Sequence, residues 1–167
     1  MMDEKYLQIS QALNQYLGEF KNSDTDESIK YANTINLESD LTKENILSFV
    51  DSILTLSSPN KTCENTQIFI LHLKHNNDEF WLEFYLTDCY CFITKQTKPG
   101  LKLFSLVLPK KLKRQGIGSE ILGKLEALAK EKHLIFAVDP VIEESMSNLL
   151  IKRGYQHEFF IRYCFHY

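Results

Sequence analysis

The chain has no apolar run long enough to span a bilayer, so a helical membrane anchor is not expected. Positive charge is not in excess either. Lys and Arg number 19 against 22 Asp and Glu, a formal net charge of −3. Bulk attraction to nucleic acid or acidic membranes is therefore not expected, and any anion site must be local. Cysteine is scarce. Cys63, Cys89, Cys91 and Cys164 form one Cys-x-Cys and two distant singles, which is weak evidence for a metal site. They read as free, mostly buried thiols. The start, MMDEKYLQIS, is acidic and lacks the apolar stretch of a secretory signal. The expected compartment is the cytosol, where disulfides are disfavoured. Internal repeats and low-complexity segments are also missing. His75, His133, His157 and His166 show no metal spacing and read as surface or packing residues.

What is present suits a single globular domain over residues 1–167, with 44% hydrophobic and 25% charged residues. Residues 1–60 form its helical N-terminal part. Within it, residues 5–20 place Tyr6, Ile9, Leu13, Tyr16, Leu17 and Phe20 at helical spacing. KNSDTDES (21–28) reads as a loop, and YANTINLE (31–38) as a short strand. Ile46, Leu47, Val50, Ile53 and Leu54 share one face of a second helix, for which Thr42 is the expected N-cap. SSPNKTCEN closes that helix as a loop.

At Thr66 the period changes to two, and residues 66–109 read as an antiparallel meander. TQIFILHLKH goes out and NND turns. EFWLEFYL returns, with Phe80, Leu82, Phe84 and Leu86 on one face. CYCFITK is the expected third strand and TKPG a turn, before LKLFSLVL (101–108). Ile117, Ile121, Leu122, Leu125, Leu128 and Ala129 then mark a helix, and LIFAVD (134–139) a central strand. Strand, helix and strand in that order imply a parallel pair. A further helix carries Met146, Leu149 and Leu150 inward and stops at Gly154. EFFIRYCF reads as a single last strand.

The stretch KRQGIGSEIL (113–122) sets two glycines between basic residues and a helix start. A helix start carries unpaired N–H groups and partial positive charge. Gly116 and Gly118 let a ligand approach the backbone, and Lys110, Lys111, Lys113 and Arg114 add full charges. The pattern describes a phosphate cradle at a strand end. A plain tight turn beside a solvated basic face is the competing reading. A Walker loop needs Gly-Lys-Ser/Thr, whereas Gly118 is followed by Ser119 and Glu120. A dinucleotide fingerprint needs a third glycine where Ile121 stands.

The segment SLVLPKKLKRQGIGSEILGKLEALAKEK resembles the acyl-CoA-binding core of the GNAT N-acyltransferases. Val107 and Pro109 match the strand end. Lys113, Gly116 and Gly118 match the pyrophosphate loop, with Lys in place of the usual Arg or Gln. LLIKRGYQ resembles the family's helix ending in Gly-Phe or Gly-Tyr. The C-terminal part fits best, the meander agrees in order, and residues 1–60 agree loosely.

The resemblance implies an α+β fold: a twisted, mostly antiparallel sheet with one central parallel pair splayed at the cofactor site and helices flanking it. Residues 110–167 would supply the acyl-CoA core and the C-terminal strand. Leu106, Val107 and Leu108 would line the pantetheine arm of acetyl-CoA or another acyl-CoA. Lys113, Arg114, Gln115, Gly116, Ile117, Gly118 and Ser119 would hold its pyrophosphate. An amine would attack the thioester directly, with a strand N–H near Leu106 stabilising the oxyanion. The amine acceptor stays open, a homodimer is allowed, and no nucleic acid or membrane partner is implied. Glu83, between Trp81 and Tyr85, is the candidate general base, set against a plain solvent-facing carboxylate. Asp139 reads equally as a turn residue and Tyr155 as core, and Ser147 and Asn148 could point at the thiol, though nothing in the sequence forces it. The pattern departs at Leu150, where the family often has an acid Tyr, and at Glu143, where it usually has Asn. These departures keep a second reading open: a GNAT-fold module that binds CoA or a partner without catalysis.

Overall fold

Period-two alternation governs the centre of the chain. The computed structural model describes residues 28–56, 66–91, 94–138, 144–158 and 162–165. Their elements run β1 (Ser28–Asn36), α1 (Lys43–Leu56), β2 (Thr66–His75), β3 (Asp78–Cys91), β4 (Gln96–Val107), a 3-10 turn (Lys110–Leu112), α2 (Ile117–Glu131), β5 (Ile135–Val138), α3 (Glu144–Lys152), β6 (Gln156–Glu158) and β7 (Arg162–Phe165). The helix expected over residues 5–20 and the loop over 57–65 lie outside the described residues.

The described strands form one seven-stranded sheet in the order β1-β2-β3-β4-β5-β7-β6. β2, β3 and β4 are the expected antiparallel meander. β4 and β5 are the expected parallel pair, with α2 between them in sequence. The class is α+β, mostly antiparallel, as the resemblance implied. Two pairings differ from expectation. β1 runs parallel to β2 from Ser28 opposite Thr66 to Asn36 opposite Lys74, a second parallel pair at the sheet edge. The single last strand is instead a hairpin, in which β6 pairs antiparallel with β7 and β7 lies beside β5.

On β3, Phe80, Leu82, Phe84 and Leu86 are buried, while Trp81, Glu83 and Tyr85 are half-buried on the other face. Register puts Phe84 opposite Phe69, Leu82 opposite Leu71 and Phe80 opposite Leu73. Tyr31, Phe69 and Phe84 stack across three strands with ring centroids 5.0 and 5.1 Å apart. Ile46, Val50 and Ile53 of α1 join the same core as Ile117, Ile121, Leu122 and Leu125 of α2. Thr42 caps α1 as expected, its Oγ1 accepting the Asn45 N–H at 3.1 Å. α3 adds Leu150 and ends at Gly154, whose φ of 86° suits the left-handed cap. There the Tyr155 N–H bonds Leu150 O at 3.1 Å. Cys89 and Cys91 are buried, as expected.

The turn expected at Thr97–Gly100 is strand. β3 continues through Cys89 and Cys91, and the chain reverses before Gln96, with the Lys95 N–H on Cys91 O at 2.7 Å. Two tertiary facts explain this. Among the described residues, β4 before Gly100 pairs only with β3, so Pro99 sits on an edge where a missing N–H is tolerated. A Cβ at Gly100 would lie 2.6 Å from Cys89 Sγ and 3.0 Å from Ile135 O. Here glycine marks the close approach of three strands rather than a turn. Gly100→Ala is expected to lower stability by about 1–3 kcal/mol in urea denaturation. A double-mutant cycle with Cys89→Ala should recover part of that loss, because it removes the Sγ contact and leaves the Ile135 O contact in place.

Candidate functional site

β4 outruns its parallel neighbour. Pairing with β5 covers Gly100–Leu103 against Ile135–Val138, while β4 continues to Val107. Among the described residues, Phe104–Val107 have a strand on the β3 side only. Backbone groups aimed at the other side lack a ladder partner. On the β3 side the register slips: Leu103 faces Phe84 and Ser105 faces Glu83, so Phe104 is the extra residue of a bulge. Phe104 is 40% exposed and Val107 50%. Leu106, opposite Leu82, and Leu108 are half-buried against the core.

The chain then turns sharply into α2. Pro109 is buried, and its carbonyl accepts the Leu112 N–H at 2.9 Å, closing the 3-10 turn over the buried Leu112. Lys113 is extended, and Arg114 takes φ 65° and Gly116 φ 79°, both in the left-handed region. Gly116 is the N-cap of α2 and no side chain caps the helix. Ile117 is buried and pins the first turn. The N–H groups of Ile117, Gly118 and Ser119 have no intrahelical acceptor, by the geometry of a helix start. Glu120 is the first to bond back, to Gly116 O at 3.0 Å. A Cβ at Gly116 would meet nothing within 4 Å, and one at Gly118 only Leu108 Cδ1 at 4.0 Å. The space over both glycines is open, at the positive end of the helix dipole.

The charges divide differently from the sequence expectation. Lys110, Lys113 and Arg114 are exposed beside the loop. Lys111 turns away, 3.0 Å from Asp78 Oδ2 and 3.6 Å from Asp40 Oδ1, and its hydrogen bond to Asp78 raises its pKa. Two cations the sequence reading missed come in. Lys43 Nζ lies 2.8 Å from Glu120 Oε1 and 3.3 Å from Gln115 O. Arg153 grips both oxygens of Glu126 at 2.8 and 2.7 Å and reaches Ser119 Oγ at 3.3 Å. The Glu126 hydrogen bond raises the guanidinium's pKa further. Neither contact has a local signal, since Lys43 is 72 residues from Gln115 and Arg153 is 34 from Ser119.

Glu83 lies opposite Ile70 on β2 and Ser105 on β4, one strand over from the open edge. The Trp81 indole donates to its Oε2 at 3.4 Å and the Tyr85 hydroxyl to its Oε1 at 3.2 Å. The Tyr85 ring stacks on Phe104 at 5.2 Å. Burial first, and then the Glu83 charge and hydrogen bond, push the Tyr85 phenol up to about 12. Leu150 is wholly buried. Tyr155 is core, as expected: its hydroxyl donates to Glu126 Oε1 at 2.6 Å and its ring meets Phe136 edge-on. Ser147 is half-buried and Asn148 exposed on α3, while Asp139 and Glu143 lie outside the described residues. His75 contacts Leu37 O at 2.9 Å and Asp40 at 3.2 Å, a packing role. No three metal-ligating side chains gather among the described residues.

Two outcomes follow. Arg114→Gly relieves a left-handed backbone at the expense of a freer unfolded chain, and should raise stability by about 0.5–1 kcal/mol in urea denaturation. In an alkaline absorbance titration, the step that Tyr85→Phe removes should lie near 12 in the parent protein. Glu83→Gln should move that step part of the way down, because burial remains when the charge is gone.

No family model and no curated protein matches the chain. Among solved structures, it is similar to a mutant of the toxin AtaT bound to the C-terminus of the antitoxin AtaR and acetyl-CoA. That match has TM-score 0.40 and 13% identity, covering 52% of this chain and 57% of that one. A mutant of KacT matches at TM-score 0.39 and 12% identity, over 52% of this chain and 61% of that one. The KacTA–DNA complex matches at TM-score 0.41 and 14% identity, over 77% and 82%. The chain thus spans less than two thirds of the first two, and all three likenesses are loose.

Proposed function

We propose that this chain is an acyl-CoA-dependent N-acyltransferase of the GNAT kind, taking acetyl-CoA as donor and a primary amine as acceptor. The observation that carries the reading is the uncapped, glycine-started N-terminus of α2, set directly after a β4 end that lacks a neighbour among the described residues. The residues present fit the donor. Open space over Gly116 and Gly118 admits a diphosphate, and the first N–H groups of α2 bond it. Lys113 and Arg114 add charge from the exposed side. The backbone of Phe104–Val107, which has no strand on its β5 side among the described residues, takes the amide-bearing arm as it would take a strand.

Acetyl-CoA supplies a thioester whose carbonyl carbon accepts an amine. Backbone at Leu106 holds the carbonyl oxygen as negative charge develops. Holding both reactants in one place supplies much of the remaining acceleration. Glu83 is the nearest carboxylate on the β3 side and takes the proton of the incoming ammonium, directly or through water.

A second reading has its own observation. Leu150 is buried where a proton-donating Tyr is usual, and the Tyr155 hydroxyl is held by Glu126. This favours a module that binds CoA without turnover. Thermal unfolding with acetyl-CoA tests what both readings share. At a hundred times its dissociation constant the ligand should add about 2.7 kcal/mol. No shift at millimolar acetyl-CoA removes both. Release of free thiol with a panel of amines then separates enzyme from module. Gly118→Leu keeps a helical backbone and gains helix propensity, so it should fold while losing the acetyl-CoA shift. A retained shift would place the diphosphate elsewhere.

A further inference from the structure

Arg153 stands 34 residues along the chain from the helix start it touches. Its backbone is fixed at the end of α3, where its N–H bonds Leu149 O at 3.1 Å and Gly154 takes the left-handed turn. Leu150 and Tyr155, both buried, bracket it. From there the side chain meets one face of α2, that of Ser119, Gly123 and Glu126, which are four and three residues apart. Glu126 holds the guanidinium by Nε at 2.8 Å and by Nη2 at 2.7 Å. A Cβ at Gly123 would stand 3.7 Å from Nη2, so the guanidinium packs closely on the helix there. The Tyr155 hydroxyl donates to Glu126 Oε1 at 2.6 Å and steadies the carboxylate. The third nitrogen of the fork, Nη1, reaches Ser119 Oγ at 3.3 Å.

That last contact has only one possible direction. A guanidinium donates and never accepts, so Ser119 Oγ is the acceptor in it. The proton of the hydroxyl is then left to be donated elsewhere. Ser119 belongs to the first turn of α2, and the Cα–Cβ bonds of a helix tilt toward its N-terminus. The hydroxyl therefore leans toward the open space over Gly116 and Gly118, where the first backbone N–H groups also point. A serine hydroxyl alone rotates freely and serves as donor or acceptor. The guanidinium takes the acceptor use and fixes part of the rotation that binding would otherwise have to remove. Glu126 occupies two of the three nitrogens, so the cation itself is kept at the side of α2.

We infer that Arg153 is a positioning residue for the acyl donor: it acts through Ser119, whose hydroxyl it sets as an additional hydrogen-bond donor to the diphosphate. The inference rests on the donor site of the proposed function for the identity of the anion at this helix start.

Calorimetric titration of the full chain with acetyl-CoA tests this, with urea denaturation to show that each variant is folded. Arg153→Lys keeps a cation for Glu126 and loses the fork that also reaches Ser119. Ser119→Ala removes the hydroxyl. Each should weaken acetyl-CoA binding about tenfold, the effect of one hydrogen bond to a charged group. The double variant should bind as Ser119→Ala does, to within about twofold, because both changes remove the same donor. Ser119→Thr keeps a hydroxyl and should keep the affinity, and Arg153→Lys in that background should again weaken binding about tenfold. Losses that multiply in the double variant overturn the inference, since Arg153 then acts on the anion by its own charge. A folded Arg153→Lys or a folded Ser119→Ala that binds as the parent does overturns it as well, and leaves Arg153 a packing residue. In all these cases the donor site stands. A parent chain that binds no acetyl-CoA at millimolar concentration removes the donor site and the inference with it.

Discussion

A parallel strand pair of unequal length governs this structure. β5 is four residues long and β4 is twelve, and their pairing stops at Leu103 opposite Val138. A backbone N–H or C=O left beside a core without a partner is unfavourable. The chain must either cover the rest of β4, expose it to water or give it to a ligand. The bulge at Phe104 works in the same direction. It breaks the alternation there, turns Phe104 outward and leaves both Phe104 and Val107 exposed at the strand end. The glycine start of α2 follows within the same few residues. Two incompletely satisfied stretches of described backbone, a strand edge and a helix N-terminus, are thereby neighbours in sequence.

Charge is arranged around this point with economy. Net charge is slightly negative, yet the loop carries local positive charge because the nearby acids are occupied. Lys43 covers Glu120, which would otherwise set a carboxylate in the first turn of α2. Arg153 covers Glu126 and also reaches Ser119, so its cation sits on the loop side of the helix. Lys111 is spent on Asp40 and Asp78 at the far side of the 3-10 turn. The exposed pairs among these contribute little to stability. Their effect lies in the positive charge left beside the loop, at Lys113 and Arg114.

What was legible in the sequence was local. The Thr42 cap, the period-two alternation of Phe80 to Leu86 and the apolar stripe of α2 each follow from a few adjacent residues, and each appears in the structure. The same holds for the glycine-rich helix start. Misreadings arose where distant chain segments decide. Pro99 and Gly100 look like a turn until the Cys89 thiol and the Ile135 carbonyl are seen against Gly100. The parallel pairing of β1 with β2 has no sequence signature, because the period of a strand does not depend on its direction. Lys43 and Arg153 could not be chosen from many surface cations without the tertiary contacts. Glu83 was legible as a position between two aromatic residues.

For the proposed acyl transfer, the buried Leu150 bears on chemistry as well as on packing. A leaving thiolate is a far better leaving group than an alkoxide, since an alkyl thiol titrates at about 8.5. At neutral pH a thiolate departs without a positioned acid and collects its proton from solvent afterwards. The reaction instead needs an acceptor nitrogen stripped of its proton next to the carbonyl, and alkylammonium groups give up that proton only near 10. The harder protonic step therefore falls on the acceptor side of the reaction. On the proposed acceptor side Glu83 is held by Trp81 and Tyr85, while on the proposed donor side Leu150 is core and the Tyr155 hydroxyl is tied to Glu126.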